Sequence, residues 1–239
     1  MWLMINAHKG IGKAEDEVEY TSENRFDFKK RPLTNQEILA NSLIFMLAGY
    51  ETTANVLSFV MYNLAIYPDY AEELMREVDA NVGKDKPTYD NVYKLPFLDQ
   101  FLSEVLRLYG SAARFNRILE EDMVLNGYTI PKGTDVQFPI TAIHRDPELW
   151  SDPEVFDPSR FLPENKEKIH PYAWVPFGAG PRNCVAMRFA LTEIKMAVAA
   201  LVQTFTFVRC DETEVPITLS KGGFIKAANG IKIKLQTRQ

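Results

Sequence analysis

No proline occurs between Pro32 and Pro68, and only two residues in that interval are charged, Glu37 and Glu51. This feature limits the fold more than any other. Thr34-Asn-Gln-Glu37 has the Ser/Thr-x-x-Glu form of a capping box, in which side chain and backbone satisfy each other at a helix start. A helix from there to Pro68 is about 34 residues and roughly 50 Å long, about three times the usual length. Apolar nearly all round, it is expected to run through the centre of the protein. A membrane span fits less well. Residues 38–50 and 52–68 are uncharged runs of 13 and 17 residues, split by Glu51, and each is shorter than the ~18 residues a span needs. Joined, they would put a carboxylate mid-span beside Asn, Ser and Thr, which lipid disfavours. The buried helix of a soluble domain is the better reading.

The remaining chain punctuates itself. Residues 10–32 are polar, charged and bounded by Gly and Pro, and read as an exposed linker. Pro68 to Gly83 begins with proline and acids and ends in glycine, as a short amphipathic helix should. Leu98–Tyr109 is a second helix, stopped by Gly110. Residues 114–140 turn to short strands around Asn126-Gly127 and Pro131-Lys-Gly133, and Asn229-Gly230 reads as the turn of a C-terminal hairpin. From 145 to 183 proline is frequent and periodicity absent, so an ordered coil is expected. Residues 184–203 are helical again. The sum is mainly α with a minor antiparallel β region. The 239 residues carry a net charge of −5, which argues against a polyanion partner and so against nucleic acid. Two cysteines, Cys184 and Cys210, make no disulfide framework and suit a reducing compartment. The N-terminal decapeptide has no basic start and no long apolar core, so no targeting signal is read there.

The chemistry concentrates in Phe177–Ala190, "FGAGPRNCVAMRFA". Gly178 and Gly180 permit positive φ or close approach of a flat ligand. Cys184 falls at or near a helix N-terminus, where free N–H groups and the dipole favour a thiolate. Arg182 adds a cation able to hold an acid group. A thiolate beside such a cation suits haem, with iron on sulfur and propionate on arginine. A buried structural cysteine in a Gly-rich turn is one alternative. A cysteine nucleophile is another, though His8, His144 and His170 stand in no local motif that would supply its base.

The segment resembles the haem-binding loop of the cytochrome P-450 family, Phe-x-x-Gly-x-x-x-Cys-x-Gly, through Phe177, Gly180 and Cys184; Ala186 stands where the family has its last glycine. Three further stretches carry the resemblance. Glu104-Val-Leu-Arg107 matches the family's Glu-x-x-Arg, and "FDPSRF" supplies Arg160, with Ser159 in place of the usual glutamate. The resemblance implies that Glu104, Arg107 and Arg160 form a structural lock holding the proline-rich coil and hence the cysteine loop. "AGYETT" (48–53) matches Ala/Gly-Gly-x-Asp/Glu-Thr-Thr/Ser. It implies that Glu51 and Thr52 are the acid–alcohol pair handling protons, with Gly49 and Thr52 helping to open a bulge in the long helix. Arg117 in "ARFNR" corresponds to a residue that reaches a haem propionate. Ile44, Leu47, Ala48, Ala112, Phe115 and Phe224 map to segments that line the substrate pocket.

The resemblance is strongest to the animal subfamily 3A type and implies a cytochrome P-450 fold from the long central helix to the C-terminus. Residues 1–239 would be a single partial domain, the C-terminal half of the catalytic domain. The implied activity is a haem-thiolate monooxygenase that inserts one oxygen atom from O2 into lipophilic substrates such as xenobiotics, steroids or fatty acids. Its cofactor would be haem b, with electrons from NADPH through a cytochrome reductase and cytochrome b5 as an accessory donor. The longer protein would sit on the cytosolic face of the endoplasmic reticulum membrane, held by an N-terminal anchor that this chain lacks. A haem-thiolate peroxide isomerase and a truncated product without catalysis remain the alternatives.

Overall fold

The computed structural model describes residues 33–238; the expected linker at 10–32 and the N-terminal decapeptide lie outside them. The chain divides into two units, Met1–Glu51 and Thr52–Gln239. Of the first, the described part is chiefly the opening turns of the long helix α1 (Asn35–Ile66). Its start is the capping box read from sequence. The Glu37 backbone N–H donates to Thr34 Oγ1 (3.2 Å), and the Thr34 N–H donates to Glu37 Oε2 (2.9 Å).

Only part of α1 is central. Leu39, Leu43, Ile44, Phe45, Met46 and Leu47 are all about half exposed or more, whereas Val56, Phe59, Val60 and Leu64 are buried. An apolar surface all round a helix gives it the means to be buried, but the neighbours must exist to cover it, and in the described residues they gather around the second half. Among the described residues α1 is the one helix long and apolar enough to cross a bilayer by length and composition. Its second half, however, carries Asn63 fully buried, with Nδ2 donating to the Phe59 carbonyl at 2.7 Å.

In the second unit, α2 (Pro68–Asn81) buries Ala71, Leu74 and Val78 on one face, as its amphipathic pattern requires. A short α3 (Tyr89–Val92) precedes α4 (Pro96–Tyr109). The Glu77 carboxylate of α2 accepts the N–H groups of Phe97 and Leu98 at 2.7 and 3.0 Å, satisfying donors left over at the start of α4. Antiparallel ribbons follow. β1 (Phe115–Ile118) pairs with β4 (Asp135–Phe138), opposing Phe115 to Phe138, and β2 (Met123–Leu125) pairs with β3 (Tyr128–Ile130). Asn126 and Gly127, with φ 49° and 83°, close the second ribbon as the Asn-Gly signal requires.

A one-turn α5 (Ile140–Ile143) follows β4, and the proline-rich coil after it carries a 3-10 turn at Pro158–Phe161 and a one-turn α6 (Pro163–Lys166). It leads to α7 (Met187–Thr204). The second half of α1, with α2, α4 and α7, encloses one apolar core in which Phe59 stacks on Tyr109 with ring centroids 4.5 Å apart. Nearly buried Lys195 of α7 pairs with Asp99 of α4 and lies over the Tyr93 ring.

The C-terminal hairpin expected around Asn229-Gly230 does not form. Gly230 does turn, with φ 74°, but β6 (Lys234–Thr237) pairs with β5 (Phe205–Val208), the strand that leaves α7. Leu219 bridges Ala227 instead. The turn residues set a local bend; the choice of strand partner belongs to the core, where Phe207 is buried.

Candidate functional site

The deepest polar feature is built from α4. Glu104 and Arg107, three residues apart, face inward and are 0% and 2% exposed. Arg107 Nε and Nη2 each donate to one Glu104 oxygen at 2.7 Å, the two-pronged geometry that suits guanidinium to carboxylate. Nη1 donates to the His144 and Pro153 carbonyls, both at 2.7 Å, and Nη2 also reaches the Val155 carbonyl at 3.2 Å. All five N–H donors of the guanidinium are therefore engaged, and its plane lies 5.1 Å from the Trp150 ring centroid. Glu104 Oε1 also accepts the Asp157 N–H at 2.9 Å and lies 3.5 Å from Arg160 Nε. Arg160 Nη2 donates to the Asp152 carbonyl at 2.9 Å. The structure thus brings Glu104, Arg107 and Arg160 together and closes the proline-rich coil over them. A buried charge pair needs such saturation, because an unpaired remainder would be strongly unfavourable.

His144 joins this cluster, and sequence reading weighs it only as a base for a cysteine nucleophile. It is 1% exposed. Nδ1 lies 3.0 Å from the Arg107 carbonyl, which can only accept, so Nδ1 carries the proton; Nε2 accepts the Val175 N–H at 2.9 Å. The ring is neutral. Burial holds its pKa down to about 4, against the hydrogen bond to the Arg107 carbonyl and with help from the Arg107 and Arg145 charges. With both nitrogens committed to backbone, His144 is no base for Cys184. The one sequence signal for it is a histidine between an apolar turn and the charged Arg-Asp-Pro bend, which is weak.

From Val175 the chain enters the cysteine loop. The Val175 carbonyl accepts the Gly178 N–H at 3.0 Å, and the Phe177 carbonyl accepts the Cys184 N–H at 2.8 Å. Gly178 and Gly180 have φ of 75° and 79°, a region L side chains rarely enter. Phe177 packs against the main core, while Cys184 is exposed. The helix beyond begins three residues later, at Met187, with Ala186 as its cap. Cys184 therefore sits on the approach to α7 rather than in its first turn.

Arg117 of β1 reaches the same loop. Nη2 donates to the Arg182 carbonyl at 3.3 Å and Nη1 to the Asn116 carbonyl at 2.7 Å, with the guanidinium 4.9 Å from the Phe115 ring centroid. The chemistry of this donor set fits a haem: an accessible sulfur on a glycine-shaped loop, with two arginine residues meeting beside it, suits a metal ion in a flat dianionic ring.

Ala112, Phe115 and Phe224 line one open cleft of about 370 Å³ together with Arg114 and Gln137, and Ala112 bridges Phe224. A cleft of about 490 Å³ around Asp79, Thr206 and Arg238 carries none of the candidate residues. Ile44, Leu47 and Ala48 lie on the exposed first half of α1. Glu51 is exposed and Thr52 half-buried on the same helix. The bulge expected there is not seen; residues 48–53 are α-helical. Gly49 lowers the cost of opening a helix without forcing it, and here the ladder stays closed. The Thr52 carbonyl does accept the Ser111 hydroxyl at 3.2 Å.

Comparison with known proteins gives one family. A family profile described as Cytochrome P450 matches residues 14–235. Cytochrome P450 3A11 of Mus musculus is 44% identical over 237 residues, 99% of this chain and 44% of that relative. Cytochrome P450 3A6 of Oryctolagus cuniculus is 46% identical and Cytochrome P450 3A7 of Homo sapiens 44% identical, each over 209 residues, 87% of this chain and 42% of the relative. The chain thus spans less than half the length of these curated relatives.

Proposed function

Because the chain belongs to the cytochrome P450 family, we propose that residues 1–239 are one partial domain, the C-terminal, haem-binding half of a monooxygenase acting on lipophilic substrates such as xenobiotics, steroids or fatty acids. The observation that carries this reading is the cysteine loop itself. It presents an accessible Cys184 next to the point where Arg117 meets the Arg182 carbonyl, and its backbone runs from a buried charge lock.

Cys184 would hold the iron through its thiolate, and Arg117 and Arg182 would pair with the propionates. When bound, haem supplies the iron at which O2 is activated and electrons are accepted. Gly180 and Phe177 shape the loop, one through its backbone and the other through its anchorage in the core. Thr52 Oγ1 and the Glu51 carboxylate would hold and pass protons. The apolar wall supplied by Ala112, Phe115 and Phe224 would favour a lipophilic ligand; Ile44, Leu47 and Ala48 on α1 are apolar as well and are proposed to contact substrate. Electrons would come from NADPH through a reductase, with cytochrome b5 as an accessory, on the cytosolic face of the endoplasmic reticulum.

The test uses the full-length protein that carries this chain, reduced and exposed to carbon monoxide. The wild type and Cys210→Ser should both show the red-shifted Soret band of a thiolate-ligated ferrous haem, and with reductase and NADPH they should oxidise a lipophilic probe. Cys184→Ser should lose both. A normal thiolate band from Cys184→Ser would sink the assignment.

A further inference from the structure

We propose that His144 is a positioning residue for the cysteine loop, transmitting the geometry of the buried charge pair to the backbone that carries Cys184. Arg107 and His144 clamp each other reciprocally. The arginine side chain donates to the histidine carbonyl at 2.7 Å, and the histidine Nδ1–H donates to the arginine carbonyl at 3.0 Å. The far side of the same ring accepts the Val175 N–H at 2.9 Å. Val175 is itself buried, so without His144 its N–H would be left unpaired away from water, which folded proteins rarely tolerate.

The sequence of contacts continues without a gap. The Val175 carbonyl holds the Gly178 N–H, and the Phe177 carbonyl holds the Cys184 N–H. A neutral imidazole offers one donor and one acceptor on opposite sides of a rigid ring, so it can fix the spacing between α4 and residue 175 while carrying no charge into the core. Trp174 adds a parallel tie, with Nε1 donating to the Ser103 carbonyl at 3.1 Å. That bond holds the side chain of the segment; His144 holds its main chain.

The test compares His144→Gln, His144→Asn and His144→Phe in the full-length protein. The Gln amide reaches the place of Nε2 and keeps a partner for Val175. The Asn amide stops near Nδ1 and keeps only the Arg107 contact. Phe fills the space and keeps neither. Hydrogen exchange across residues 174–185 is read by mass spectrometry, in haem-free and haem-loaded protein. Protection there should fall about tenfold or more in Asn and Phe, and stay within about threefold of wild type in Gln.

The share of thiolate-type carbon monoxide spectrum should fall in the same order. This second readout rests on the haem-thiolate reading, whereas the exchange readout does not, so failure of one is distinguishable from failure of the other. Equal exchange in Asn and Gln would overturn the proposal. So would equal loss of protection across α4 and α7 in all three variants, which would make His144 an ordinary core residue.

Discussion

The charge lock and the cysteine loop lie one hydrogen-bonded relay apart, yet they are built on opposite terms. In the lock every donor of Arg107 has an acceptor, and Glu104 and Arg107 are sealed from water. In the loop the chain's own contacts are backbone bonds, the Arg117 side chain on the Arg182 carbonyl and the anchorage of Phe177, while Cys184, Arg182 and Val185 are exposed. Groups that carry full charge into a core are strongly destabilising there unless they are paired and hydrogen-bonded. A group that serves a ligand has to keep a face open, and its placement must then come from the elements behind it. The contrast makes the lock a determinant of stability and the loop a determinant of geometry.

The largest effect should come from the lock. Glu104→Ala leaves the buried Arg107 cation without its carboxylate, and removing one partner of such a pair costs about 3–5 kcal/mol. Urea unfolding of the full-length variant should show that loss, or the protein should fail to accumulate. A loss below about 1 kcal/mol would put the pair on a par with a surface contact and erase the contrast.

The relay between the two regions should show in acid. The folded pKa of His144, about 4, lies below the ordinary 6.5, so between those values the unfolded chain binds more protons. Unfolding free energy then rises with pH across that window. The contribution is fully present above about pH 6.5 and is lost as pH falls towards about 4, about 3 kcal/mol in all. The difference in stability between wild type and His144→Gln should therefore shrink on acidification. A difference that stays constant from pH 7 to about 4 would show that the ring does not titrate as its burial requires.

The smallest effect should come from the loop. At Gly180 an added Cβ meets no atom within 4 Å, but φ is +79°. Gly180→Ala should cost only backbone strain, about 1–2 kcal/mol, while altering the loop's path and so the yield of thiolate-ligated haem. A stability loss as large as that of Glu104→Ala would mean that the loop, too, is part of the core.

Much of this was legible in the residues. The capping box at Thr34–Glu37, the start of α2 at Pro68 and the Asn126-Gly127 turn are local rules, and the structure follows them. The Glu-x-x-Arg spacing put two charges on one helix face by helix geometry alone. Where the structure departs, a distant partner decides. Asn229-Gly230 turns as its type demands, but β6 pairs with β5 rather than closing a hairpin on itself. The apolar run of α1 holds for 32 residues, yet its two halves differ in burial.

By itself the sequence determined the elements that depend on neighbours a few residues away, because caps, turns and motif spacings are set by short stretches of chain. Only the tertiary structure decided what lies between them. The burial of Glu104 and Arg107, the meeting of Arg117 with the Arg182 carbonyl and the seat of His144 between Arg107 and Val175 all join residues dozens of positions apart. No local periodicity records such a contact. It exists because buried polar groups must find partners, and the folded core fixes which ones come within reach.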